Sequence, residues 1–508
     1  MKKIVFTLLL AGGLLTSCDM DKKPYGSLDD TTAIETLNDC ARFRNGLYSS
    51  MRGMTSGGRV IYPEIQMDMF QGLMSNGNRI GTFSNGNVLS SDQDIESLWA
   101  GSYSVINSAN YIIEKMEGLQ ENKEWDEDDL VTLRRYDAEA RFVRAYCYYW
   151  LVDHFCDTYS SANATAEAKG VPIVTVYNPT ADRSKYPGRS TQDEAYTLIA
   201  EDLDAAYTGL KAYEQAVASA APAPNSAYIN SNTVLALQAR IALLKGDYKT
   251  AISKAESVIN SGTYALTSIA DYENLWVNDE GNEVIFRPFM SNTELGNSFS
   301  STTFMTDNDE SADYIPCYNI LDLYGEGDIR FDTFFGVNYS LKVNGASIPA
   351  YIFTKYPGNE TLKTGTARNF YNMAKPFRLS ELYLIVAEAA AADGQATVAN
   401  TYLNDLRRER IEGYEDVNLS GSTLTQAIRD ERLKELIGEG FRLSDLRRWK
   451  QGFTRDSSYP ANPSVADYFI SPGKTLSYDS SDYRYVWPIP SVEIQVNPQL
   501  EGQQNPGY

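Results

Sequence analysis

One histidine, His154, is all the imidazole that this 508-residue chain contains. A serine or cysteine nucleophile activated by histidine would need that residue as its base, with a third group to orient it. His154 stands between Asp153 and Phe155 at the end of an aromatic stretch, a setting that suits capping or packing rather than catalysis. A multi-histidine metal site is impossible. The five cysteines, Cys18, Cys40, Cys147, Cys156 and Cys317, form no Cys-x-x-Cys and show no metal-ligand spacing. An exported chain could pair the last four, but this is no disulfide scaffold. With 67 acidic residues, some pair able to flank a glycosidic bond can always be found, so no pair is informative. The residue types point away from an enzyme, and neither a cofactor nor a metal is expected.

What remains is binding chemistry. Tyr 35, Phe 19 and Trp 6 make the chain rich in rings, with tyrosine well ahead of phenylalanine. A tyrosine offers an apolar face and a polar tip, which suits wet binding surfaces as well as helix seams. The formal net charge is −22. That argues against nucleic acid or an anionic bilayer face as the main partner.

The elements that must carry these side chains are mostly helical. Leu98, Ser102, Val105, Ala109, Ile112 and Met116 recur at steps of three and four, as do Ala138, Phe142, Ala145, Tyr149 and Val152. Val234, Leu237, Ile241 and Leu244 precede the turn Lys245-Gly246-Asp247-Tyr248, and Ile252, Ala255 and Ile259 follow it. Leu379, Leu382, Val386 and Ala390 run to Asp393-Gly394, with Ala399, Leu403, Leu406 and Arg410 beyond. Alanines at close-approach positions make these pairs similar to tetratricopeptide hairpins, near 98–155, 191–261 and 377–450. Such hairpins usually build peptide-binding or scaffolding surfaces. Residues 51–97 and 262–375 are rich in Gly, Ser, Asn, Thr and aromatics and read as a loop-rich half, with short strands expected at 171–176, 283–287 and 349–355. Residues 213–230 read as a loop. The expected fold is mainly α: a helical scaffold carrying the loop-rich half, as one unit from 33 to 508.

The first residues have a different logic. Lys2 and Lys3 precede an apolar run from Ile4 to Leu15, and Leu15-Thr16-Ser17-Cys18 follows. This is a secretory signal, too short to span a bilayer, and its end resembles a bacterial lipobox. Residues 1–17 are expected to be removed, Cys18 to carry lipid, and 18–32 to form a flexible tether. The Arg-rich C-terminal block offers no nucleic-acid site. Arg407, Arg408, Arg429, Arg432, Arg442, Arg447 and Arg448 interleave with Glu409, Glu412, Asp430, Glu431, Glu435, Glu439 and Asp445, which predicts ion pairs between packed helices.

Several stretches together resemble the SusD/RagB family. They are Tyr136 to Phe155 with Gly170-Val171-Pro172; Leu98-Trp99 through Asn107 and Asn110; and Phe377 to Leu384 with Ala387-Glu388-Ala389. Asn404 to Arg407, Arg429 to Arg432, Glu439 to Arg442 and Asp445 to Trp449 continue the likeness, which ends in Pro488-Ile489-Pro490, Asn497-Pro498 and Asn505 to Tyr508. One departure is Asp157-Thr158 with a Ser/Ala-rich insert, where relatives more often run a Gly-Asp loop straight into the Val-Pro. The acidic residues after Cys18 loosely resemble a surface-export signal of Bacteroidetes lipoproteins.

The resemblance implies an outer-membrane, outward-facing lipoprotein that binds oligosaccharide, or sometimes peptide, and loads a SusC-like TonB-dependent transporter. It places the ligand face by region over 64–110 and 270–320. Sugar rings stack their C–H faces on aromatic planes, so Trp99, Trp276, Tyr314 and Tyr318 are the candidate platforms, and Asp68, Arg79 and Asn107 the candidate polar contacts. Trp99 stands one residue beside its helix's buried stripe and either covers the core edge or faces ligand. Trp276 is read in a loop, presented to solvent. A protein-binding scaffold is the competing reading, and a surface glycan hydrolase a third.

Overall fold

The computed structural model describes residues 33–77, 79–121, 125–218, 226–299, 303–304, 310–455, 458–470 and 476–508. The signal, Cys18 and the tether lie outside the described residues. Among these residues no helix is long and apolar enough to cross a membrane. The fold is mainly helical, as the periodicities predict.

Local chemistry starts and stops the helices where the sequence says it should. α1 (Leu37–Met54) opens on a capping box between Thr36 and Asp39. Two short helices follow, α2 (Gly58–Gln66) and α3 (Gly81–Ser84). Asp92 caps α4 (Gln93–Gln120), Asp126 caps α5 (Glu127–Phe155), and Thr191 with Glu194 caps α6 (Gln192–Val217). These side chains satisfy backbone N–H groups that have no partner within the helix. α7 (Ser231–Lys245) ends at Gly246 in the left-handed region, φ 73, and the next residue, Asp247, already caps α8 (Tyr248–Ile259). One dipeptide therefore closes one helix and opens its antiparallel neighbour. Gly394, φ 79, likewise turns the chain between α12 (Leu379–Ala392) and α13 (Ala396–Arg408), though Gln395 after it makes no side-chain cap.

α5 lies between α4 and α6 and also meets α1 and α7. The sequence predicts one buried stripe on it, but from Ala138 to Phe155 every residue except Arg141 is buried. A helix covered on all sides has no solvent face for a stripe to contrast with. The C-terminal segment closes the end of α5: the Trp487 amide donates to the His154 carbonyl at 2.8 Å, and the Asn505 amide group donates to the Phe155 carbonyl, 350 residues away in sequence.

The loop-rich half has its own core around Phe70, Trp276, Tyr314, Phe334 and Phe353. It contains small antiparallel pairs: β1 (Phe70–Gly72) with β3 (Tyr314–Pro316), β2 (Val284–Phe286) with β6 (Phe377–Arg378), and the hairpin β4 (Phe335–Val343) with β5 (Ala346–Phe353). A further pair, β7 (Phe453–Arg455) with β8 (Leu476–Tyr478), lies nearer the C-terminus. Three short helices belong here, α9 (Tyr272–Val277), α10 (Tyr318–Leu321) and α11 (Ile329–Phe334). The strand expected at 171–176 reduces to a single bridge between Pro172 and Arg189. The Val174 amide donates to the Tyr148 hydroxyl, which donates back to the Val174 carbonyl, so a side chain takes the place of a strand partner. Cys40, Cys147, Cys156 and Cys317 are buried, and no disulfide joins them.

Where the halves meet, charge is buried rather than excluded. α14 (Gly421–Leu436) brings Glu431 and Glu435 against Arg330 of α11, Arg378 of β6 and Arg410 after α13; α15 (Arg442–Arg448) follows it. Lys355 reaches Glu439 at 2.7 Å in the same region. The ion-pair reading of the Arg-rich block holds for Arg407 on Glu431, Arg432 on Asp445, Arg442 on Asp68, Arg447 on Asp153 and Arg448 on Glu388.

Two buried titrating groups make a test of this packing. His154 stacks on Trp150 at 4.3 Å and lies 4.8 Å from Trp487, with Nδ1 2.9 Å from the Trp150 carbonyl. Burial pulls its pKa down to about 4. The unfolded chain therefore binds a proton that the folded one refuses, and stability is lost as pH falls from about 6.5 through 4. The loss is on the order of 3 kcal/mol. Glu64 acts oppositely: burial, against three backbone N–H donors, pushes it up to about 7, so its contribution is lost as pH rises from about 4.5 through 7. His154→Gln should flatten the acid-side slope of urea stability against pH, and Glu64→Gln should steepen it.

Candidate functional site

β1 leads into a tight reversal on the loop-rich half. Gly77 and Ile80 take left-handed backbone, φ 61 and φ 56. For a β-branched residue that conformation is strained and persists only where neighbours enforce it. Here the neighbour is β3, whose register sets Gly72 opposite Tyr314. The Leu73 amide donates to the Asp313 carbonyl at 2.8 Å, and the Tyr314 hydroxyl donates to the Arg79 carbonyl at 2.5 Å. The Arg79 guanidinium grips Asp313 along one edge, with Nε donating to Oδ2 at 2.6 Å and Nη2 to Oδ1.

The pair is lopsided. Asp313 is buried, whereas the Arg79 side chain is 55% exposed. Burial pushes the Asp313 carboxyl up, and Arg79 opposes that; the hydrogen bond to Asp313 holds Arg79 above the ordinary guanidinium value. Among the described residues, Nη1 of Arg79 has no acceptor. A planar donor fork is thus fixed from behind and presents its free edge outward, an arrangement able to meet hydroxyl or carbonyl oxygens of a ligand. No cluster of three histidine, cysteine or acidic side chains able to hold a metal is found among the described residues.

Of the other candidates only Tyr314 touches Arg79, at its backbone carbonyl, and none joins the guanidinium. Trp99 is 2% exposed and packs on Tyr103 and Phe155, with ring centroids 5.1 and 4.9 Å away. Of its two readings, the structure takes the core. Trp276 is not in a loop but in α9, 1% exposed, and such an indole has no face to offer a sugar. Tyr314 is fully buried and serves the reversal through its hydroxyl. Asp68 is buried and committed to Arg442, at 2.8 and 2.6 Å. Tyr318 is half-buried, its ring edge-on to Tyr459 at 5.5 Å. None of the six tryptophans is exposed; only Trp125 and Trp449 are half-buried. Indoles bury the most apolar area per residue, and here the core takes four of them.

Asn107 opens onto different ground. With Arg42, Phe43, Tyr111 and Tyr177 it lines a cavity of about 580 Å³ against α1. Asp94, which accepts from the Tyr62 hydroxyl where α4 meets the loop-rich half, lies thirteen residues from Asn107, a rise of ~20 Å along the helix. Sequence reasoning missed Asp313, which has no local signal because its partner lies 234 residues away. It also missed Phe43 and Tyr177.

Comparison with known proteins agrees with this architecture. Residues 20–241 match a family model described as starch-binding associating with outer membrane, and residues 332–508 match the SusD family. SusD-like protein P2 of Formosa agariphila is 23% identical over the full length of both chains. A SusD superfamily protein of Bacteroides thetaiotaomicron is 27% identical with a TM-score of 0.76, covering 93% of this chain and all of the other. A SusD-like carbohydrate binding protein of Bacteroides vulgatus, 20% identical with a TM-score of 0.73, covers 92% of this chain and 98% of its own and shares the fold. Helical hairpins, loop-rich half and C-terminal block thus follow one known plan, and the chain belongs to the SusD/RagB family.

Proposed function

We propose that this protein is a surface receptor, lipid-anchored through Cys18 to the outer membrane, that holds an oligosaccharide and passes it to a SusC-like TonB-dependent transporter. It binds without catalysing. The observation that carries the ligand assignment is the Arg79 edge: an exposed guanidinium, fixed bidentately by a buried carboxylate beside a strained turn, with an unused donor facing out. The starch-binding description of the matching family model supports a glycan. Half-buried Tyr318 supplies ring surface in the same half of the molecule, and the helical half remains for the transporter. Tethering beside a transporter raises local ligand concentration, so modest affinity suffices.

The test is Arg79→Lys. Lysine keeps Asp313 neutralised but loses the planar fork. Affinity for the best binder in an oligosaccharide and peptide titration series should fall about tenfold, the loss of one charge-assisted hydrogen bond. The unfolding midpoint should hardly move, because the lysine ammonium still neutralises buried Asp313. Unchanged affinity in both Arg79→Lys and Arg79→Ala would remove the ligand from this edge. Capture of peptides but no glycan would replace the ligand class.

A further inference from the structure

Arg429 is the exception in the Arg-rich block. Where the arginines around it grip carboxylates, its side chain has none within ion-pair distance among the described residues. Its one hydrogen bond is a long one, 3.4 Å to the Gln451 side-chain oxygen. It lies 4.9 Å from the centre of the Trp449 ring. Both residues line a cavity of about 300 Å³ where the α7–α8 turn, α12 and α14 converge with the end of α15.

The cavity is basic in a chain whose charge is −22. Lys245 and Lys450 line it too and make no ion pair among the described residues. Lys245 stands over the rings of Tyr159 at 4.6 Å and Tyr196 at 5.0 Å. Lys450 is exposed and takes left-handed backbone, φ 50. The one acid in the lining, Glu388, is already engaged through both of its oxygens. It accepts from both terminal nitrogens of Arg448 and, at 2.6 Å, from the Trp449 indole N–H. Burial also lowers the pKa of Arg429, which its neighbours do not make good. Three cations without a carboxylate partner and flat aromatic walls make a site that suits an anion.

We propose that this pocket binds a carboxylate-bearing group, its charge against Arg429 and Lys245 and its C–H face on Trp449. The carboxylate could come from a free sugar acid or from an acidic side chain of a bound protein, since the chemistry is shared. The inference stands apart from the Arg79 edge and does not depend on it.

The experiment follows the Trp449 indole N–H resonance of the intact protein during titration with glucuronate and with N-acetyl-glutamate methylamide. Glucose and N-acetyl-glutamine methylamide serve as neutral counterparts. At least one carboxylate should shift the resonance saturably while its neutral counterpart does not, and that carboxylate names the source. Arg429→Gln should weaken the response about tenfold or more, the share of a charged hydrogen bond. Lys342→Gln, on the distant β4–β5 hairpin, should leave it unchanged. Equal shifts from neutral and charged probes, no shift from either carboxylate, or full binding by folded Arg429→Gln would each overturn the proposal.

Discussion

Replacing Glu435 with alanine should cost roughly 3–5 kcal/mol of stability, the penalty for stranding buried charge. Its carboxylate receives Arg378 at 2.8 Å, Arg410 at 2.9 Å and Arg330 at 3.1 Å, and none of the four side chains is more than 1% exposed. Burial alone would push this carboxyl up, but Arg410, Arg378 and Arg330 outweigh it and hold Glu435 well below the usual carboxylate range. Removing it takes away the carboxylate that three buried guanidinium groups share, leaving Asp328, Glu431, Glu283 and Glu439 to hold them. Glu435→Gln keeps the shape and should lose nearly as much, because the failure is electrostatic. By contrast Asp430→Ala, which removes an acceptor for an exposed glutamine on the same helix, should cost under about 0.5 kcal/mol. Guanidinium-chloride unfolding of the three variants decides the matter, and a Glu435→Gln midpoint equal to wild type would show that the cluster does not bear on stability.

Trp276→Ala should lose roughly 3–5 kcal/mol as well, by another route. The ring lies in α9 within 5.6 Å of Phe334 and 5.7 Å of Tyr356. Three cations also surround it: Lys355 at 4.3 Å, Lys375 at 4.9 Å and Arg378 at 5.1 Å. Burial brings Lys355 down to about 8, against the pull of Glu439. The indole face is part of what makes burying these charges tolerable. Alanine there opens a cavity and removes that face together, whereas Trp276→Phe should recover more than half of the loss. Ligand affinity, measured in the folded fraction, should stay unchanged. Weakened binding at full stability would return Trp276 to the ligand face.

How far the sequence could be read depends on how local each signal was. The Gly246-Asp247 turn is legible because both halves of its job are done by neighbours in sequence. Trp99 illustrates the limit of periodicity. The stripe from Leu98 to Met116 is buried except for half-buried Val105, but Ile95, Trp99, Ile106 and Ile113 beside it are buried too. α4 is packed on more than one side, so its covered face is too wide for a narrow stripe to locate. A six-residue helix holds under two turns of pattern, so Trp276 reads as loop in the sequence. The β4–β5 hairpin carries a local signal of its own: Asn344-Gly345, both left-handed at φ 48 and φ 85, is a strong turn pair between strands. The Arg79–Asp313 pair was half legible, since family likeness supplied Arg79 but only the β1–β3 pairing brings Asp313 to it.

The closure of α5 by residues near 487 and 505 also bears on how the chain can be made. A protein synthesised from its N-terminus exposes Phe155 long before Asn505 exists to cover it. Contacts this distant in sequence are slow to form and come late. Until the final segment emerges, the long aromatic helix has an unsealed end, and the chain lacks its finished native state.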